Sequence, residues 1–215
     1  MLWSRGLVGS WRLENSALDG SGNGNNGTLH GTPPSYVAGP IGQCLSLNGA
    51  GDYVDFNALD LTSALTICAW VKTGTISGNF AFVLSNRSSA GNGYELLLRN
   101  GSTYPDCTFY FQTCNGGTEK TVNATASATS NTTYFLAATY NGSVGKLYVN
   151  GVLQTGANDI GASAIGSSSE KLNFARRPNV NNYWGRGLLD EVHIWNRALS
   201  AQDIRRVMMG LHPIS

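Results

Sequence analysis

A succession of short runs dominates the middle of the chain: LTICAWVK, NFAFVLS, YELLLR, CTFYFQT, TYFLAATY, KLYVNG and KLNFA. Each is rich in β-branched and aromatic residues and is bounded by Asn-Gly, Gly-Asn or Ser-Gly, which are turn signals. Strand after strand at this spacing folds as an antiparallel sandwich. Asn150-Gly151 lies between two such runs, and both positions of a type I′ turn require positive φ, so a tight hairpin is expected there. One helix is credible, at the end of the chain. Ser200 caps it with Asp203 three residues on, Ile204, Val207 and Met208 make one apolar face, and Gly210 stops it. The segments expected to be least ordered are Ala124 to Thr132 and Gly156 to Glu170, both small and polar. The expectation is a single all-β domain over residues 1–215.

Charge narrows the partners. Only 13% of the residues are charged, about half the usual share, and the net charge is +1 with no basic cluster longer than a pair. Nucleic acid and anionic membrane are therefore poor partners, and neutral glycan or another protein fits better. The first residues carry no long apolar segment, so neither a secretory signal nor membrane insertion is read there. An extracellular or virion-surface location is expected, with the chain cut from a larger secreted protein or made without a signal. Cys44, Cys68, Cys107 and Cys114 are too few to form a disulfide framework. In a single strand Cys107 and Cys114 face opposite sides, about 20 Å apart, which is too far to bond.

The closing run Gly185 to Ser200 carries a residue out of place. With a strict period of two, Leu188, Asp190, Val192 and Ile194 share one face, and Leu189, Glu191, His193 and Trp195 the other. A carboxylate among aliphatic side chains needs a partner, and a metal ion is one that suffices. The loop Leu18 to Gly31 offers Asp19, Asn23, Asn25 and Asn26 as oxygen donors, and its glycines can turn carbonyls inward. A structural Ca²⁺ held by Asp19, Asn23, Asn25 and Asp190 is the expectation. Two plainer readings stand beside it. Asp190 can be satisfied by backbone N–H groups, and Asp19 can be an Asx-turn residue.

Five blocks, GLVGSWRLEN, DGSGNGNNGTL, IGQCLSLNGAGDYV, LTICAWVKTG and GLLDEVHIWNRALSAQDI, fall in an order that resembles the laminin-G-like branch of the concanavalin A-like lectin/glucanase superfamily, from Gly6 to about Met209. The resemblance implies a concanavalin A-like antiparallel β-sandwich, a jelly roll, with one short C-terminal helix. It leaves function open among lectins, carbohydrate modules, adhesion domains, glycosidases and lyases.

Glucanases of this superfamily carry E-x-D-x-x-E or E-x-D-x-E on one strand, keeping two carboxyls about 5 Å apart. That spacing is absent, and Glu95 and Glu119 stand alone in their strands. With only His30, His193 and His212, neither a G-x-S-x-G elbow nor an H-E-x-x-H pair is present. Lyases of related fold rely on Tyr, His, Arg or Gln clusters that a linear reading does not reveal. Trp11, Trp70 and Trp195 read as core. Arg176, Arg177, Asn181, Asn182, Tyr183 and Trp184 sit together in a polar loop, where rings can stack on pyranoses and amides and guanidinium groups can bond hydroxyls. Tyr104 and Tyr94 are second-choice platforms. The expected function is a non-catalytic, calcium-stabilised lectin-like module binding glycan or a surface protein in adhesion or recognition. The alternatives are a virion decoration or attachment protein within a larger assembly, and a glycoside hydrolase or polysaccharide lyase.

Overall fold

The computed structural model describes residues 5–32, 34–75, 80–101, 104–154, 161, 163–180 and 184–211, with only the backbone at 80, 82, 100–101 and 104–106. In chain order the elements are β1 (Leu7–Trp11), β2 (Thr28–His30), β3 (Ser35–Ala38), β4 (Gln43–Asn48), β5 (Tyr53–Asp55), β6 (Leu65–Thr73), β7 (Phe80–Ser85) and β8 (Gly93–Gly101). They continue as β9 (Tyr104–Asn115), β10 (Thr118–Asn123), β11 (Thr133–Tyr140), β12 (Gly145–Val149), β13 (Val152–Leu153), β14 (Asn173–Phe174), β15 (Arg186–Trp195) and α1 (Ala201–Met208).

Two antiparallel sheets form the sandwich. The first runs β13-β12-β11-β6-β15-β4-β3, with β1 also paired to β15, and the second runs β10-β9-β8-β7-β14-β5-β2. Alternation along each strand fills the space between them. From β6, Leu65, Ile67, Ala69 and Val71 point inward to meet Leu136 and Ala138 of β11 and Val54, Leu84, Leu96, Phe111 and Phe174 of the second sheet. Trp11 anchors this core, with its ring 4.7 Å from Phe56 and 5.3 Å from Phe174.

The other face of the first sheet has a smaller core of its own. Cys68, Phe135, Tyr148 and Trp195 are sealed there by Leu199, Ile204 and Val207 from α1 and the turn before it. Ser200 caps α1 as expected, its hydroxyl oxygen accepting from the Asp203 N–H at 3.1 Å, and Gly210 follows at φ 71°. The expected hairpin is present too, with Asn150 and Gly151 at φ 51° and 74° between β12 and β13.

Some strands were not visible in the sequence, among them β2, inside the stretch Leu18 to Gly31 read as a loop, and β10, TEKTVN, which pairs with β9 along its whole length through the Gly116-Gly117 turn. Residues 124–132 are also better fixed than their composition suggests. The Ala124 N–H donates to Phe109 O at 2.9 Å, and Ala124 and Ala128 are buried. Of Gly156 to Glu170, part lies outside the described residues, while Ile165 joins the core and Ser168 donates to Asn86 O at 2.6 Å. All four cysteines are free, Cys107 packed on the core and Cys114 bonded by the Gln112 amide on the opposite face.

Candidate functional site

The closing strand departs from a strict period of two. Between Asp190 and His193 its pairing with β6 shifts by one residue, a β-bulge, with Glu191 at φ 45°. The extra residue inverts the alternation. Leu189, Val192 and Ile194 face the core, while Asp190, opposite Trp70, and His193, opposite Cys68, lie on the outer face with Trp195. Asp190 is thus out of phase with Val192 and Ile194, contrary to the sequence reading.

Asp190 is nonetheless fully buried, because the turn after β3 lies over it. The Ile41 N–H donates to Oδ2 at 3.0 Å, and among the described residues Oδ1 has no hydrogen-bond partner. A Cβ at Gly39 would stand 2.6 Å from Cys44 Cβ and 3.0 Å from Asp190 Oδ2, so only glycine lets that turn close so tightly. Burial pushes the Asp190 carboxyl up to about 7, opposed by the Ile41 and Glu191 backbone N–H groups and helped by the charges of Glu191 and Glu14.

Asp19 has the opposite environment. It accepts from the N–H groups of Ser10 at 3.0 Å, Ser21 at 2.8 Å and Asn25 at 3.0 Å, and from the Ser21 hydroxyl at 2.8 Å. Burial works against its charge, yet these donors hold it below the usual carboxylate range. The Asn23 and Asn25 amides donate to Leu7 O at 2.8 Å and Val8 O at 2.9 Å, lashing the loop to the edge of β1. This donor-filled loop does not fit a cation at Asp19. Among the described residues, His, Cys, Asp and Glu form no cluster of three or more able to hold a metal. Asp190 Oδ1 is among the buried side-chain oxygens of the described residues that have no partner.

The binding loop fares differently. Beyond β14 an antiparallel bridge joins Arg176 and Trp184. The register puts Phe174 and Val54 in the core, so Tyr53 and Asp55 face outward beside this loop. The Arg176 guanidinium lies 4.5 Å from the Tyr53 ring centre and 5.4 Å from that of Trp184, while the two rings are 5.8 Å apart. His30 stacks on Tyr53 at 4.4 Å with ring planes 8° apart and pairs with Asp55 at 3.3 Å. All four side chains are partly exposed, and Arg176 makes no ion pair among the described residues. The result is an open aromatic and cationic strip on the outer face of the second sheet.

Charge groups continue along that face. Arg177 pairs with Glu95 at 3.0 Å, and Glu95, only 1% exposed, also accepts from Ser85 at 2.8 Å and from Arg87 at 3.4 Å. Arg87 reaches Glu119 as well. Arg99 donates to Gln112 at 2.8 Å and lies 4.9 Å from the Tyr110 ring centre. Glu95 of β8 and Glu119 of β10 are thus bridged by Arg87. Burial pushes Glu95 above the usual carboxylate range, against Arg177, Ser85 and Arg87. Enclosed by these donors, it presents no free carboxyl for general acid work.

Tyr94 is a correction. It is fully buried in the core with its hydroxyl donating to Leu59 O at 2.9 Å, so it is no sugar platform. Alternation decides this, since Glu95 takes the outer face and its neighbour must point in. Asn181, Asn182, Tyr183 and the Tyr104 side chain lie outside the described residues. Sequence reasoning missed His30, Tyr53, Arg87 and Arg99 as members of this face, because three come from different strands and Arg87 from the segment that follows β7.

A family model described as the concanavalin A-like lectin/glucanases superfamily matches residues 48–205. No curated protein matches in sequence. Among solved structures, domain 4 of AbnA, an extracellular GH43 arabinanase from Geobacillus stearothermophilus in complex with arabinotriose, superposes with TM-score 0.75 at 19% identity, covering 94% of this chain and 97% of that one. The receptor binding domain of botulinum neurotoxin C/D mosaic serotype gives 0.74 at 18%, covering 95% of this chain and 51% of that one. The serotype D ligand binding domain in complex with N-acetylneuraminic acid gives 0.74 at 18%, covering 96% and 51%. The chain thus spans about half the length of the neurotoxin domains, and at these identities the likeness is one of fold.

Proposed function

This chain belongs to the concanavalin A-like lectin/glucanase superfamily, and from that premise we propose that it is a glycan-binding module that does not cleave glycosidic bonds. Its site is the outer face of the second sheet around Trp184, Arg176 and Tyr53. The carrying observation is the Arg176 guanidinium lying against two partly exposed rings, with no carboxylate paired to it among the described residues. Rings stack on the apolar faces of pyranoses, and a guanidinium left free bonds hydroxyl or carboxylate oxygens. AbnA domain 4, bound to arabinotriose, and the neurotoxin domain, bound to N-acetylneuraminic acid, support the reading as fold relatives that hold carbohydrate ligands. Among the described residues no helix is long and apolar enough to cross a membrane, and the setting proposed is an extracellular or virion surface.

Calcium enters the proposal at Asp190 alone, where a cation against Oδ1 would favour the ionised carboxylate and brace the turn carrying Ile41.

Glycan-array binding tests the site directly. Trp184→Ala is expected to reduce binding at least tenfold while leaving the melting temperature nearly unchanged. Undiminished binding would move the site elsewhere, and unfolding would make Trp184 a packing residue.

A further inference from the structure

On the opposite side of the sandwich, where β1 meets β15 beside the end of α1, a cleft of about 360 Å³ opens. It falls in the size range of small-molecule sites. Ser10, Arg12, Glu191 and His193 line one wall, and Ile41 and Leu211 contribute apolar surface. The polar wall is one connected array. Ser10 Oγ lies 3.0 Å from His193 Nδ1, and His193 Nε2 lies 3.0 Å from Glu191 Oε2. Glu191 Oε1 in turn accepts from Arg12 Nε at 3.2 Å.

The bulge makes this possible. By inverting the alternation it brings His193 to the outer face opposite Ser10, with Glu191 beside it. With Glu191 Oε2 accepting the Nε2–H of His193, Nδ1 is left as the acceptor for the Ser10 hydroxyl proton. The serine is itself fixed on both sides, its N–H donating to Asp19 and its carbonyl accepting from the Gly20 N–H at 2.7 Å.

We propose that Ser10, His193 and Glu191 form an acyl-transfer site, with Ser10 as nucleophile, His193 as its base and Glu191 as the residue that positions the imidazole, acting on small acyl esters. Nucleophile, base and orienting carboxylate are connected as such chemistry requires, from positions that no sequence motif links. Ile41 and Leu211 provide apolar surface for a short acyl chain. The terminal nitrogens of Arg12, without a partner among the described residues, supply positive charge for the oxyanion. In the forward step Ser10 Oγ bonds the carbonyl carbon as its proton passes to His193 Nδ1. The tetrahedral intermediate collapses, the ester C–O bond breaks, and the leaving alkoxide takes that proton. Water then repeats the sequence, releasing a carboxylic acid and restoring Ser10.

A fluorophosphonate probe tests this on the whole chain, since Oγ–P bond formation with loss of fluoride needs the same activated hydroxyl. Tandem mass spectrometry is expected to locate the adduct on Ser10, and its rate of formation to fall at least tenfold in His193→Gln. Ser10→Ala, folded by its melting curve, should lose both the adduct and the release of nitrophenolate from p-nitrophenyl acetate. Glu191→Gln should slow labelling without moving the adduct. Adducts confined to other serines, or Ser10 labelled no faster in the native protein than in urea, would overturn the assignment.

Discussion

Trp184 and Trp195 sit just before and at the end of the same strand and have opposite fates. Trp195 is fully buried on the outer face of the first sheet, in the small core closed by α1 and its approach, with its ring 5.9 Å from that of His193. Trp184 is left partly open on the outer face of the second sheet, against Tyr53 and Arg176, with no helix over it. The same residue type is structural where an element covers it and available for a ligand where none does. Cover, more than residue identity, separates the stabilising face from the binding face.

The contrast breaks first at Trp195. Trp195→Ala should lower the unfolding free energy by roughly 3–5 kcal/mol, the usual cost of deleting a large buried aromatic. Urea denaturation measures it, and a loss below about 1 kcal/mol would mean that the helix-covered face is not a true core.

Next in size is the buried carboxyl on that covered side. Because the native state holds Asp190 up at about 7 against an ordinary value of 3.8, it binds its proton more tightly than the unfolded chain does. The associated stability is fully present below about pH 4 and is lost as pH rises through 7, on the order of 2–4 kcal/mol. Other groups also titrate in this range, so the informative quantity is the difference between wild type and Asp190→Asn, whose profile should be flatter. Calcium sharpens the test. Above pH 7 it should raise the wild-type melting temperature, by about 2.7 kcal/mol of added stability at a hundredfold excess over its dissociation constant, and leave Asp190→Asn unmoved. A wild-type melt indifferent to calcium and chelator would end the calcium proposal.

The smallest stability effect belongs to the open face. Arg176→Lys keeps the charge but loses the planar group that lies against both rings, so binding should weaken several-fold while stability stays within about 0.5 kcal/mol of wild type. Titration calorimetry with a glycan found on the array would measure it, and equal affinity would reduce Arg176 to a point charge.

Much of this was legible in the sequence because strand and turn signals are local. The runs became strands, Asn150-Gly151 became the hairpin, and Ser200 and Gly210 bounded the helix. The bulge at Glu191 was not legible. A period of two says nothing about where one residue is skipped, and that skip decided the faces of Asp190 and His193. The loop Arg176 to Trp184 could be picked out by composition. Its companions His30 and Tyr53 could not, since pairing among β2, β5 and β14 is what brings them there. Tyr94 shows the reverse error, a ring beside a turn signal that alternation sends inward.

The pairing of β1 with β15 has a mechanical consequence. Leu7 lies opposite Trp195, the Asn196 N–H donates to Gly6 O at 2.8 Å, and Arg197 Nε donates to Arg5 O at 3.0 Å. The first and last strands are therefore antiparallel neighbours whose outer ends lie side by side. Tension applied through those ends loads the hydrogen bonds one after another, as in a zipper, instead of all at once in shear. A tethered copy should open at low force from Arg5 inward. The first rupture would separate Ser10 from His193 while the second sheet, with Trp184 and Tyr53, is still closed.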